Sequence, residues 1–440
     1  MEEFMLNDDA FEQIKDFNHK DLTEEQSLLI DKLILNEELK ICYKKNGLCK
    51  ECKQPRASRN WCQCKFQQNF KNWTSGNHEV DKFIQKVQLE AKVYEEVLEW
   101  IEYDRFENVE YLAKGGFGTI YKAIWKDGYI NKWDFENNKW KRSKCWSKEY
   151  ENFPVVLKCL HNSQDITSDF LREIETHTMI PMKSCIAHCF GITKDPESGN
   201  FIIVMNYVIN GSLRQHLNNS FNSTKWDEKL YILENLTESL LCIHQKRLIH
   251  RDFHIGNILK EEYYTIITDL GLCRPANVKP SQNEFCTGIP PYHDIAHDKF
   301  LTISICQGLR PKSNYKIPQL ILNIIKQCWD ADPLKRPNTN ELYFLLHNLL
   351  NESNTEIKRQ IEEADKINEK LTTSSSLYTG PTLSYTTNPQ AVYTSRLLDF
   401  KNLPEPKNAI DNKDDDNSFG EYSESIEAID FTKLDLDKSN

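Results

Sequence analysis

A chain of 440 residues with 39% hydrophobic side chains can hold two or three domains and one large buried core. Apolar runs such as Phe201–Met205 are far too short to cross a bilayer, and the acidic start Met1-Glu2-Glu3-Phe4 lacks the layout of a secretion signal. The formal charge of −11 gathers at one end, where residues 411–440 hold ten Asp and Glu against Lys413, Lys433 and Lys438; the near-neutral remainder argues against a surface that coats nucleic acid. These features predict a cytoplasmic or nuclear protein with no membrane and no nucleic-acid partner. Its fourteen cysteines are then thiols or metal ligands rather than disulfides.

In chain order, Thr23-Glu24-Glu25-Gln26 reads as a capping box opening a helix through Leu28, Leu29, Leu33 and Ile34 toward Ile41, and Asn46-Gly47 ends it. A cysteine-rich loop follows. Cys49 and Cys52 have knuckle spacing, whereas Cys62 and Cys64 are one residue short of C-x-x-C, which predicts a strained tetrahedron. Four thiolates on a structural zinc ion and a surface loop of reduced thiols both stay open, with Trp61 and Phe66 expected to pack on the loop. A second amphipathic helix is predicted over 79–101, its apolar face made by Val80, Phe83, Ile84, Val87, Tyr94, Val97, Leu98 and Ile101. Residues 1–104 thus read as a helical, cysteine-bearing region.

From Phe106 the pattern changes to short β-rich runs broken by glycine, and after about residue 210 to helical periodicity. Strands followed by helices predict an α+β body of two lobes, a β-rich one over 105–208 and a helical one over 209–350. Ala113-Lys114-Gly115-Gly116-Phe117-Gly118-Thr119-Ile120 lies between two strand-like runs, where glycines let backbone amides close over phosphates. Val155-Val156-Leu157-Lys158 is an apolar strand ending in lysine, and Phe170-Leu171-Arg172-Glu173-Ile174 begins a helix able to swing Glu173 onto Lys158. Then comes Ile249-His250-Arg251-Asp252-Phe253-His254-Ile255-Gly256-Asn257, and twelve residues later Asp269-Leu270-Gly271. The H-R-D-x-x-x-x-N and D-[F/L]-G runs in this order are highly specific.

On these runs, and on Cys328-Trp329 with Pro333, Arg336 and Pro337, residues 105–350 resemble the protein kinase superfamily, specifically the tyrosine-kinase-like group as expanded in fungi. The resemblance implies a bilobal protein-kinase fold and ATP-dependent phosphoryl transfer to protein hydroxyls, most often Ser/Thr, in signal transduction. It implies a Lys158–Glu173 ion pair aiming at the nucleotide phosphates, Asp252 as acceptor of the hydroxyl proton beside His250 and Arg251, and Asn257 with Asp269 as Mg²⁺ ligands. Met205 becomes the side chain beside adenine, with the backbone of Asn206 and Val208 at its edge. ATP and protein substrates are the implied partners.

The sequence departs from that pattern in several places. Ala113 replaces the first glycine of the loop, and His254 stands where Ser/Thr kinases usually carry lysine. Residues 126–152 look like an inserted hairpin, to which no chemistry is assigned. Sixty residues separate Asp269 from Trp329, so most of the activation segment and the start of the central helix of the second lobe have no counterpart, the join lying near Asn283. That shortening predicts loss of the anchor beneath His250–Asp252 and of the usual partner of Arg336. It also keeps a second reading open, an ATP-binding pseudokinase that acts as a scaffold. Residues 372–395 hold fifteen Ser, Thr or Tyr among twenty-four, and the whole stretch 351–440 is predicted to be disordered.

Overall fold

The computed structural model describes residues 6–58, 61–114, 118–144 except 135 and 138, 153–161, 163–164, 166–180, 185–275 except 222 and 263, 291–311, 313, 315–351, 355–374, 386–393, 400 and 402–409. Gly115, Gly116, Phe117, the join near Asn283, the segment 411–440 and most of 372–395 lie outside the described residues. The chain divides into two compact units. The first comprises Met1–Ile209, Lys246–His250 and Ile267–Ala276, the second Asn210–Gln245, Arg251–Ile266 and Asn277–Asn440.

The first unit opens with three short helices, α1 (Asp8–Ile14), α2 (Glu24–Leu33) and α3 (Glu37–Asn46). Their apolar sides meet around Ile14, Ile30 and Tyr43, whose hydroxyl donates to the Ile14 carbonyl at 3.1 Å. Thr23 and Gln26 form the anticipated capping box, but the single helix expected toward Ile41 is two. Ile34 turns extended, and Asn36 starts α3 by accepting the Leu39 amide at 3.1 Å. Gly47, at φ 70°, closes α3 in a conformation costly for other residues. Next come α4 (Cys64–Asn69) and α5 (His78–Glu90), the latter capped by Asn77.

The helix predicted to reach residue 101 stops at Glu90. Val97, Leu98 and Ile101 are buried as expected, but in extended chain: strand β1 (Glu99–Trp100) pairs in parallel with β7 (Cys189–Lys194), and Ile101 N donates to Ile192 O at 3.0 Å. A short apolar run fits either period, and the available sheet edge decided it. Gly191 permits the approach, since a Cβ there would run into the Glu99 carbonyl. β1 thus joins a six-stranded sheet in the order β1-β7-β8-β6-β3-β2, otherwise antiparallel, with β2 (Phe106–Lys114), β3 (Gly118–Trp125), β6 (Pro154–Leu160) and β8 (Phe201–Asn206). Ala123, Trp125, Phe153, Val155, Leu157, Phe190 and Val204 fill its core. The inserted stretch does form a hairpin, β4 (Tyr129–Asp134) with β5 (Lys139–Ser143), and α6 (Ser168–Met179) follows β6.

The second unit is helical: α7 (Leu213–Ser220), α8 (Trp226–Gln245), α9 (Lys299–Cys306), α10 (Gln319–Cys328), α11 (Thr339–Leu350) and α12 (Thr355–Ser374). Leu217, Trp226, Leu230, Ile321, Ile325, Leu342 and Leu346 share one core. The expectation of a disordered 351–440 is corrected for Thr355–Ser374. Ile357, Ile361 and Ala364 of α12 are buried in that same core, and Asn368 Nδ2 donates to Lys316 O at 2.9 Å. The abundant charge around this four-residue stripe had hidden it. Further along, Asn388 N donates to His293 O at 2.7 Å and Lys407 N to Cys306 O at 2.7 Å. Arg336, expected to lose its usual partner, donates through Nε to the Asp330 carbonyl at 2.6 Å.

Candidate active site

In the first unit, register places Lys158 on β6 opposite Ile120 of β3 and Ile203 of β8, so its stem is enclosed within the sheet. Thr167 caps α6 by accepting the Phe170 amide, and one turn on, Glu173 faces the strand. Lys158 Nζ lies 2.6 Å from Glu173 Oε1 and 3.0 Å from Asp269 Oδ1. Lys158 and Glu173 side chains are only 10% and 7% exposed, a desolvated pair, with the one-third-exposed Asp269 completing the triad at its edge. Burial works to discharge the ammonium, but the two carboxylates win and raise its pKa. Burial likewise works to raise the Asp269 carboxyl, and Lys158 overcomes it, holding the group below its ordinary value. The lysine therefore stays cationic and the aspartate anionic at neutral pH.

Asp269 sits at φ 62°, a left-handed backbone that is rare outside glycine, and the buried Leu270 follows it into a short turn packed on α6. Gly271 is required by this packing, since a Cβ there would lie 2.8 Å from Glu173 Oε2. His177, one turn beyond Glu173, donates through Nδ1 to the Ala187 carbonyl at 2.8 Å. Complete burial, aided by the charge of Lys158, pushes its pKa down to about 4. His250 Nε2 donates to the Thr268 carbonyl at 3.0 Å, which ties the ring to the backbone beside Asp269; the predicted loss of the helix-borne anchor beneath His250–Asp252 falls on the join near Asn283, outside the described residues.

Ala113 pairs with Ile120 and Lys114 with Thr119 at the mouth of the glycine-rich turn. Gly118 must be glycine, because a Cβ would come within 2.6 Å of the Cys159 carbonyl. Met205 and Val208 are buried, and Asn206 turns its side chain onto the His188 amide at 2.7 Å while its own amide donates to His188 O at 3.0 Å.

The second unit carries Arg251, Asp252, His254 and Asn257. Arg251 takes a positive φ of 68° at the start of the loop. Asn257 Nδ2 donates to the backbone carbonyl of Asp252 at 3.0 Å and to its Oδ2 at 3.1 Å, which fixes the carboxylate and turns the amide oxygen of Asn257 outward. His254 Nδ1 accepts the Gly256 amide at 3.0 Å, so the ring carries its proton on Nε2, 3.8 Å from Asp252 Oδ2. An anionic Asp269 and the oxygen of Asn257 are hard donors of the kind that suits Mg²⁺.

The four N-terminal cysteines come together as well. Their sulfurs all lie within 4.8 Å of one another, with Cys52–Cys62 at 3.4 Å and Cys49–Cys64 at 3.9 Å. A tetrahedral Zn–S bond of about 2.3 Å implies sulfur–sulfur edges of about 3.8 Å, so these residues fit the metal. Cys64 opens α4, and Lys65 N donates to Cys62 O at 3.4 Å, a turn that carries both cysteines of the short second pair into the cluster. Hydrogen bonds from Cys52, Cys62 and Cys64 draw the Cys49 thiol far below its usual range, and the same sharing drives Cys64 up. Trp61 and Phe66 pack on each other at the loop, as expected, and also on Trp140 of the inserted hairpin, a role that sequence reasoning missed.

Residues 106–284 match the family described as protein tyrosine and serine/threonine kinase. The chain is 25% identical over 295 residues to the "Probable serine/threonine-protein kinase roco5" of Dictyostelium discoideum, covering 55% of this chain and 10% of that protein. It is 23% identical over 288 residues to a tyrosine-protein kinase receptor, svh-2, of Caenorhabditis elegans, covering 56% and 24%. Against the serine/threonine-protein kinase STY17 of Arabidopsis thaliana it is 22% identical over 231 residues, covering 45% and 40%. The aligned region thus spans well under half of each relative's own length. What the residue motifs and the ion triad indicate, these comparisons bear out at the level of family: the chain carries a protein kinase domain with homologues among both serine/threonine and tyrosine kinases.

Proposed function

We propose that this protein transfers the γ-phosphate of Mg-ATP to serine or threonine hydroxyls of other proteins, acting in the cytoplasm in signal transduction. The observation that carries the proposal is the Lys158–Glu173–Asp269 triad, which keeps one ammonium and one carboxylate charged and oriented inside a desolvated site. Phosphoryl transfer asks for positioning and charge neutralisation more than for covalent help. Lys158 would hold the α- and β-phosphates, and the amides of the glycine-rich turn flanked by Ala113 and Gly118 would close over them. Mg²⁺ held by the oxygens of Asp269 and Asn257 would supply neutralisation of the phosphate charge. The acceptor oxygen forms its bond to the γ-phosphorus as the bond to the bridging oxygen breaks, ADP leaves, and the hydroxyl proton passes to the carboxylate of Asp252. Asn257 positions that carboxylate, and a protonated His254 would add charge where lysine is usual.

The four cysteines belong to this reading as a structural zinc site outside the chemistry. A second reading, a nucleotide-binding pseudokinase scaffold, is favoured by one feature, the sixty-residue interval between Asp269 and Trp329. Radiolabelled transfer to a mixed protein substrate, followed by phosphoamino-acid analysis, separates the two. Label on serine and threonine supports the proposal. Label confined to tyrosine overturns the acceptor assignment, and a thermal shift with Mg-ATP but no label supports the scaffold.

A further inference from the structure

The surroundings of the cysteine cluster indicate what the metal would hold in place, an inference that rests on the zinc reading above. The ligand segments are short and locally determined. Cys49 and Cys52 span a tight turn in which Cys49 N donates to Gln54 O at 2.8 Å and Lys53 N to Cys49 O at 3.0 Å, with Lys53 at φ 62°. Neither this turn nor the single turn of α4 has an apolar interior of its own. The sulfurs occupy the place of a core.

Two side chains interleaved with the ligands reach out of the cluster to one atom. Trp61 Nε1, next to Cys62, and Gln63 Nε2, between Cys62 and Cys64, both donate to the carbonyl of Ala91 at 3.0 Å. Ala91 caps the C-terminus of α5, where helix carbonyls have no partner within the helix. The cluster thus grips the last turn of α5 with both lone pairs of one carbonyl. Around that grip, Trp61, Phe66, Ala91, Val97 and Ile130 form a buried cluster, and Phe66 stacks on Trp140 at 4.4 Å.

From α5 the contact runs on to the helix that carries Glu173. α5 packs against α6, and Lys86 of α5 meets Glu175 of α6 at 3.3 Å, two residues beyond Glu173. That ion pair is exposed and weak by itself, so packing between the helices carries the contact. α6 packs on the turn at Leu270, on α5 and on β7. We propose that zinc on Cys49, Cys52, Cys62 and Cys64 acts as a brace: by fixing Trp61 and Gln63 on Ala91 it seats α5 against α6 and thereby holds Glu173 on Lys158. Metal loss would then loosen the ion pair without touching it, and would make nucleotide handling sensitive to zinc and to thiol oxidation.

The test uses the full chain purified without chelator. Zinc content is measured by mass spectrometry, and amide hydrogen exchange over α5 and α6 is compared in the native protein, after stripping with a high-affinity zinc chelator, and after zinc is restored. The expected result is one zinc per chain, at least tenfold faster exchange in the last turn of α5 and in residues 168–179 on stripping, and recovery on re-addition. Trp61→Phe keeps the ring and all four thiols but removes one of the two donors to Ala91. It should retain zinc yet show intermediate exchange in both helices. Stoichiometric zinc with exchange in α6 unchanged on stripping overturns the brace and leaves the metal site standing. Absence of stoichiometric zinc, or a chain two or four mass units light from disulfide formation, overturns both.

Discussion

Removing the Glu173 carboxylate is the most informative perturbation of the triad. In Glu173→Ala, Lys158 loses its 2.6 Å partner inside the protein but keeps Asp269 at 3.0 Å. Breaking a buried pair so that a charge is stranded costs roughly 3–5 kcal/mol. Because Asp269 still compensates the ammonium, the expected cost lies near the lower end, about 3 kcal/mol. At about 2–4 °C per kcal/mol for a unit of this size, thermal unfolding should fall by about 6–12 °C. The double variant Lys158→Met with Glu173→Ala measures the coupling: its loss of stability should be smaller than the sum of the two single losses. Differential scanning calorimetry of the four proteins in the cycle reads this directly. A Glu173→Ala protein within about 1 °C of wild type, or single losses that simply add in the double variant, would refute the claim that the two side chains are paired and desolvated in solution.

Other consequences follow from the same contacts. His177 has its pKa pushed down to about 4, so the unfolded chain takes up its proton first as pH falls; stability should decline between about pH 6.5 and 4. His177→Gln should flatten that decline, and an unchanged slope would show that other groups dominate it. Gly271→Ala drives a methyl toward Glu173 Oε2 and should reduce nucleotide affinity at least tenfold by calorimetric titration while the fold survives; normal affinity would contradict the packing described. Ile361→Ala opens a cavity in the helical core and should destabilise the second unit by about 2–5 kcal/mol in urea, whereas a neutral effect would mean that α12 does not pack there. His254→Lys, which puts a permanent ammonium at this position, should raise the transfer rate several-fold in a labelled-phosphate assay. An unchanged rate would remove position 254 from charge stabilisation.

The parts of the structure that were legible in advance were those with a dense local code. Thr23 with Gln26, Gly47 and the strand before Lys158 each specify backbone within a few residues, and each reads correctly from its neighbours alone. What could not be read was settled by distant partners. The stretch Val97–Ile101 fits a helix face as well as a strand, and only the edge offered by β7 selected the strand. α12 is hidden among glutamate and lysine, although its Ile357, Ile361 and Ala364 stripe is the signal that could have revealed it. Spacing alone likewise misleads for Cys62 and Cys64, because ligand geometry depends on where the next helix begins. Trp133 and Trp140 of the hairpin had no assigned use in one dimension. In three, Trp133 lies under the ammonium of Lys65, 4.5 Å from the ring centroid, and Trp140 stacks on Phe66.

The central claim is that Asp252 takes a proton from a protein hydroxyl while a charged, fixed Lys158 holds the nucleotide. Incorporation of labelled phosphate from Mg-ATP into a protein acceptor, measured side by side for wild type and Asp252→Asn at matched folding and nucleotide affinity, addresses it most directly. Incorporation by wild type that falls at least a hundredfold in the variant is the predicted result. Equal incorporation by both proteins, or none by wild type that nonetheless binds Mg-ATP, would contradict it.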